Sequence, residues 1–123
     1  VEPNMANTIV AQLLHLYYDR MKEKLLSAAK MPGGIEGNVP EKDRTIKMFI
    51  NSPGGYVNDG LQIYDLMQLL QAEGVIVETH VTGIAMSMGS ILLVAGSPGH
   101  RHAWPSANIM LHQVSSGAQG KLT

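Results

Sequence analysis

The most constraining feature of this sequence is a unit of apolar strand, glycine-rich turn and helix that occurs twice in succession. Thr45-Ile46-Lys47-Met48-Phe49-Ile50 reads as a short buried strand. Asn51-Ser52-Pro53-Gly54-Gly55 breaks it, and Val57 to Leu70 carries an apolar face at helical spacing. The unit then recurs. Val75 to Val81 is β-rich, Gly83-Ile84-Ala85-Met86-Ser87-Met88-Gly89 is a turn, and Ser90-Ile91-Leu92-Leu93-Val94-Ala95 is helix-like. Strands alternating with helices predict an α/β fold with a mainly parallel sheet. In such sheets the working groups gather at the carboxyl ends of the strands. Gly54-Gly55 and Ser87 both fall at such ends and are expected to face one crevice.

The flanking segments fit one domain spanning residues 1–123, which is long enough for a real core. Asn4 is a candidate N-cap for a first helix. Met5, Ile9, Leu13 and Leu16 or Tyr17 supply its core stripe, with Val10 and Leu14 beside them. Asp19 to Lys24 reads as a solvated end, with Leu25-Leu26 as a candidate extension of the helix. Residues 31–44, rich in Pro and Gly at the start, read as a surface loop. The second helix has Asn58 or Asp59 as candidate caps. After Gly96-Ser97-Pro98-Gly99, His100 to Trp104 is a short strand or loop, and Asn108 to His112 is another apolar strand.

Composition removes several function classes. The net charge is −1 with scattered positive residues, so no basic patch for nucleic acid or a membrane surface is indicated. No apolar run approaches the roughly 18 residues of a membrane-spanning helix. The first residues, Val1-Glu2-Pro3-Asn4, have no signal-peptide pattern. With no cysteine, disulfides, a cysteine nucleophile and thiolate metal sites are absent, which fits a reducing compartment. No nucleotide-binding fingerprint occurs, and no cofactor is indicated.

The chemistry centres on Ser87. A serine before a helix is commonly an N-cap. At a strand-to-helix turn its hydroxyl can instead protrude, while backbone N–H groups point at the same place and can hold an oxyanion. A serine nucleophile needs a base, usually histidine. His112, at the end of an apolar strand, is the first candidate. His80 is weaker, because it lies inside the strand before Ser87, and His15 reads as surface. His100 and His102 could be read as metal ligands at i and i+2. With Arg101 between them and no carboxylate or third histidine nearby in sequence, a solvated strand face is favoured and no metal site is assigned.

Taken together, Phe49-Ile50-Asn51-Ser52-Pro53-Gly54-Gly55, Ile63 to Gln68, Ala85-Met86-Ser87-Met88-Gly89 and Ile109-Met110-Leu111-His112-Gln113 with Gly117-Ala118-Gln119-Gly120 resemble the Clp protease proteolytic subunits. Met5 to Leu14 shares in the resemblance, and about Tyr18 to Arg44 falls outside it. The resemblance implies the ClpP/crotonase fold and a serine endopeptidase acting on unfolded polypeptides. In it Ser87 is the nucleophile and His112 the general base, while the Gly55 and Met88 N–H groups form the oxyanion hole. An extended substrate would lie between Tyr56-Val57 on one side and Val114, Ser115, Ser116 and Gly117 on the other.

It also implies assembly as two stacked heptameric rings, of one or more subunit types, fed by an AAA+ unfoldase that hydrolyses the ATP. The family's third triad member, an Asp, is expected beyond Thr123. Its pore-lining N-terminal segment and its ring-joining helix and strand are likewise unmatched within residues 1–123. Ile84 and Val114 replace a Gln and a Pro common in the family. The long 18–44 connection occurs in divergent phage-borne or organellar members, so a bacterial or phage cytoplasm and an organellar matrix or stroma are both expected settings. Two alternatives stay open. One is a non-catalytic ring subunit, and the other is a crotonase-type acyl-CoA enzyme.

Overall fold

A computed structural model describes residues 1–111 of the chain. Helix α1 spans Pro3–Leu16, passes through a single π turn at Tyr17–Met21 and continues as α2, Lys22–Ala29. Buried Ala6, Leu13, Tyr17, Met21, Leu25 and Ala28 form one stripe along this long arm. The helix thus runs through the charged Asp19 to Lys24 stretch and on past Leu25-Leu26, the extension the sequence allowed. The charged residues there occupy the outer side of a continuing helix, and the π turn keeps Tyr17 and Met21 facing inward. Met5 departs from expectation, being exposed, with Ala6 taking the core position. The cap is Glu2 and not Asn4. Pro3 needs no N–H partner in the first turn, and the Glu2 carboxylate accepts the Met5 N–H at 2.7 Å.

The 31–44 stretch is not a plain loop. It holds a short helix α3, Gly34–Asn38, and a 3₁₀ turn at Glu41–Asp43. Val39 between them is buried, which ties the segment to the core.

Strand β1 covers Thr45–Ser52, helix α4 Val57–Ala72, strand β2 Ile76–Met86 and helix α5 Met88–Val94. Short strands β3, Arg101–Ala103, and β4, Asn108–Met110, follow. All pairings are parallel. β1 lies on one side of β2, and β3 then β4 run in succession along the other. This is the mixed α/β architecture with a parallel sheet that the repeated unit predicts.

β1 is less buried than its apolar sequence suggests. Ile46 and Ile50 are buried, while Lys47 and Phe49 point away from the core. The sheet thus has a helix-covered face and an open face. On β2, Val77, Thr79 and Val81 are fully buried, and Glu78 and His80 lie between them on the other face. β4 also differs from expectation, because all three of its residues are exposed.

α4 buries Gly60, Ile63, Leu66, Met67 and Leu70. Its N-cap is Tyr56, with no side-chain cap from Asn58 or Asp59. Leu61 and Leu69 lie outside the buried stripe. Met67 and Ile63 have no solvent exposure and pack with Met88 in the shared core. Truncating Met67 to Ala should cost about 2–5 kcal/mol, the range for emptying such a site. Urea unfolding of the two proteins, with equal slopes, measures it directly.

Polar groups in this core are paired. Thr79 Oγ1 donates to the Leu93 carbonyl at 2.9 Å, and the Val77 N–H donates to Ser97 Oγ at 2.9 Å. Both contacts pin β2 to the end of α5 and the turn after it.

Candidate active site

β2 runs without interruption to Met86, so Ser87 is the single residue between strand and helix. Its backbone has φ 54° and ψ −118°. Among the described residues it is the one non-glycine with positive φ. A conformation that L residues avoid stores on the order of 1–3 kcal/mol and persists where the surroundings impose it. Here the surroundings are specific. The Ser87 N–H donates to the Met110 carbonyl of β4 at 3.0 Å. The Ser87 carbonyl accepts the Ser90 and Ile91 N–H groups and the Ser90 hydroxyl. The Ser87 side chain makes no capping hydrogen bond. Among the described residues the side-chain capping role is thus unfilled.

The second wall is the turn after β1. Gly54 has φ 115°, and a Cβ there would lie 3.0 Å from Ser87 Cβ and 3.1 Å from the Met86 carbonyl oxygen. The two turns are therefore in contact, and only a glycine permits the approach. Ser52 shapes this turn, since the Gly54 N–H donates to Ser52 Oγ at 3.1 Å.

Asn51 supports it from behind. The β1–β2 register shifts between Ile50 and Ser52, and Asn51 Oδ1 accepts the Ile84 N–H at 3.1 Å across the irregularity. Gly83 must lack a side chain for this, because a Cβ would fall 2.5 Å from Asn51 Oδ1. The sequence reading singled out Gly55 in this turn. It missed the steric role of Gly54 and the bracing role of Asn51, although both stand in the quoted motif.

The remaining expected site residues fall as follows. Met88 is buried as the first residue of α5, and Gly55 lies in the turn that meets Ser87. Among the described residues, neither the Gly55 nor the Met88 N–H donates a hydrogen bond. Tyr56 is extended and exposed, its N–H donating to the Val1 carbonyl at 2.8 Å, and Val57 already opens α4. His112, Val114, Ser115, Ser116 and Gly117 lie outside the described residues. Met110, two positions before His112, pairs with Met86, the residue before Ser87.

His80 does not join this site. It lies seven positions before Ser87 along the strand, roughly 20 Å at strand rise. It instead contacts Glu78, with His80 Nε2 and Glu78 Oε2 2.7 Å apart. That hydrogen bond is the main reason the Glu78 carboxyl lies below its ordinary range, partly offset by its own desolvation. His15 is on the surface, 3.1 Å from Asp19, as expected.

A parallel α/β sheet with a strained residue at a strand's carboxyl end, abutting a second turn at the neighbouring strand's end, defines a class. It comprises proteins that build a working site where parallel strands meet their helices. Within that class, residues 38–123 match the family model described as Clp protease. The match takes in most of the chain, and the chain belongs to the Clp protease family. Members of this family are proteases, assemble as oligomers and associate with Clp ATPases. Among the described residues no helix is long and apolar enough to cross a membrane.

Proposed function

We propose that this chain is the serine endopeptidase subunit of an ATP-dependent Clp protease and cleaves unfolded polypeptides. The observation that carries the reading is Ser87 at φ 54° on the strand-to-helix junction, held against Gly54 with its side chain unused for capping. Ser87 Oγ attacks the carbonyl carbon of the scissile peptide bond as its proton passes to His112. The charge that develops on the carbonyl oxygen is received by the Gly55 and Met88 N–H groups. One such donor is typically worth about 2.7–4 kcal/mol in the transition state. His112 then gives its proton to the leaving amine, and water repeats the sequence on the acyl-serine.

Tyr56 and Val57 on one side, and Ser115 and Ser116 on the other, would bind the substrate as an added strand. Main-chain hydrogen bonds give grip with little dependence on sequence. The working particle is two stacked heptameric rings with an AAA+ unfoldase, in a bacterial or phage cytoplasm or an organellar matrix or stroma. The family match favours a protease over an acyl-CoA enzyme of related fold.

Labelling by a fluorophosphonate probe tests the reading. We expect the assembled protein to label at Ser87, and His112→Ala to suppress labelling. An assembled protein that takes up no probe would identify a ring subunit without catalysis.

A further inference from the structure

We propose that Glu78, His80 and His102 form a binding site for a divalent transition-metal ion, zinc or a close relative, on the open face of the sheet. The argument begins with register. Residues two apart on a strand share a face, and His80 pairs directly with His102 across β2 and β3. Glu78 and His80 on one strand therefore meet His100 and His102 on the next. The sequence pattern E-x-H and H-x-H, uninformative while the strands are apart, becomes a two-by-two patch.

The distances fit a metal set. One ligand atom from each of Glu78, His80 and His102 lies within 4.8 Å of the others. His80 Nε2 is 2.7 Å from Glu78 Oε2, and His102 Nε2 is 4.0 Å from Glu78 Oε1. His100 Nδ1 stands 3.9 Å from the same Oε1. Tetrahedral zinc with bonds of about 2.0–2.1 Å needs ligand atoms roughly 3.4 Å apart. The His80 and His102 rings stack with centroids 4.6 Å apart, so an ion would require them to turn until both Nε2 atoms face it. His102, with 44% of its side chain exposed, has the freedom to do so. Two imidazoles and one carboxylate suit zinc, cobalt, nickel or copper, and His100 or water can complete the shell.

The neighbours set limits. Arg101, which argued against the pair in the sequence, turns to the other side, its Nε donating to the Gly96 carbonyl at 2.9 Å. The missing carboxylate comes from Glu78 on the adjacent strand. Lys47 lies across from Glu78 on β1 and competes for the carboxylate, which weakens the site. Trp104 Nε1 donates to His80 Nδ1 at 3.4 Å, so the His80 proton sits on Nε2 and points at Glu78. An ion taking Nε2 moves that proton to Nδ1, where it faces the indole N–H, and Trp104 must withdraw. Trp104 is the single tryptophan of the sequence. It is therefore a built-in reporter.

Chelator-treated protein should be titrated with Zn²⁺ by calorimetry, and with Co²⁺ by visible absorption and Trp104 fluorescence. We expect saturation at one ion per chain with a dissociation constant of about 10 μM or tighter, and a change in Trp104 emission. His102→Ala and Glu78→Gln should each weaken binding at least ~10-fold. Both positions lie on the open face, and circular dichroism checks that the fold is kept. His15→Ala should leave the titration unchanged. No saturable binding below about 100 μM, or binding indifferent to both patch variants, would overturn the site.

Discussion

Ser87→Ala should lower peptide hydrolysis by about 10⁴-fold or more while leaving the fold intact. The substitution removes the oxygen proposed to form the acyl bond and little else. The Ser87 side chain makes no capping hydrogen bond, so no structural partner is orphaned. The backbone at φ 54° is as unfavourable for alanine as for serine, and melting temperatures should nearly coincide. Ser87→Gly separates the two roles of the position. It should be equally inactive yet more stable, by on the order of 1 kcal/mol, because glycine tolerates positive φ without a Cβ clash. Hydrolysis of a fluorogenic peptide and thermal unfolding of the three proteins read both quantities. Activity retained in Ser87→Ala would remove Ser87 from the chemistry.

Gly54→Ala should cost about 10²-fold or more in hydrolysis, since an ångström of misplacement at a reacting group has effects of that size. The added methyl meets Ser87 Cβ at 3.0 Å and the Met86 carbonyl at 3.1 Å. Relief requires either the Gly54-Gly55 turn or Ser87 to move, and the proposed donor and nucleophile then part. Strain contributes as well, because φ is 115°. Gly99→Ala is the control. Its φ is 83°, yet a Cβ there meets nothing within 4 Å. It should lower stability to a similar degree and leave hydrolysis per folded molecule unchanged. Equal activity losses in both variants would mean that backbone strain, not crowding of Ser87, is responsible.

Local sequence determined the alternation of strand, turn and helix. It is written in apolar spacing and in glycine-containing turns, which act over a few residues and need no partner to be read. The same signals located Ser87 at a strand-to-helix junction and placed Gly54-Gly55 at the equivalent end of β1. Where a helix stops was less legible. The arm from Pro3 to Ala29 continues past Asp19 to Lys24, because a π turn keeps Tyr17 and Met21 on the buried side, and burial outweighs the local charge. Glu2 displaced Asn4 as the cap for a similar reason, since the cap is fixed by which carboxylate or amide reaches the first turn.

Relations between strands belonged to the tertiary structure alone. The parallel register sets His80 beside His102 and brings Glu78 within reach of three histidines, although Glu78 and His102 are far apart in the chain. The shift between Ile50 and Ser52 gives Asn51 its bond to Ile84, which a side chain at Gly83 would crowd. That the Gly54-Gly55 turn and Ser87 share a crevice followed from their places at the strand ends, but the closeness of Gly54 to the Ser87 Cβ did not. Periodicity tells which side of its own strand a residue occupies, but not which residue of another strand lies opposite. That pairing is decided when the sheet closes over its core.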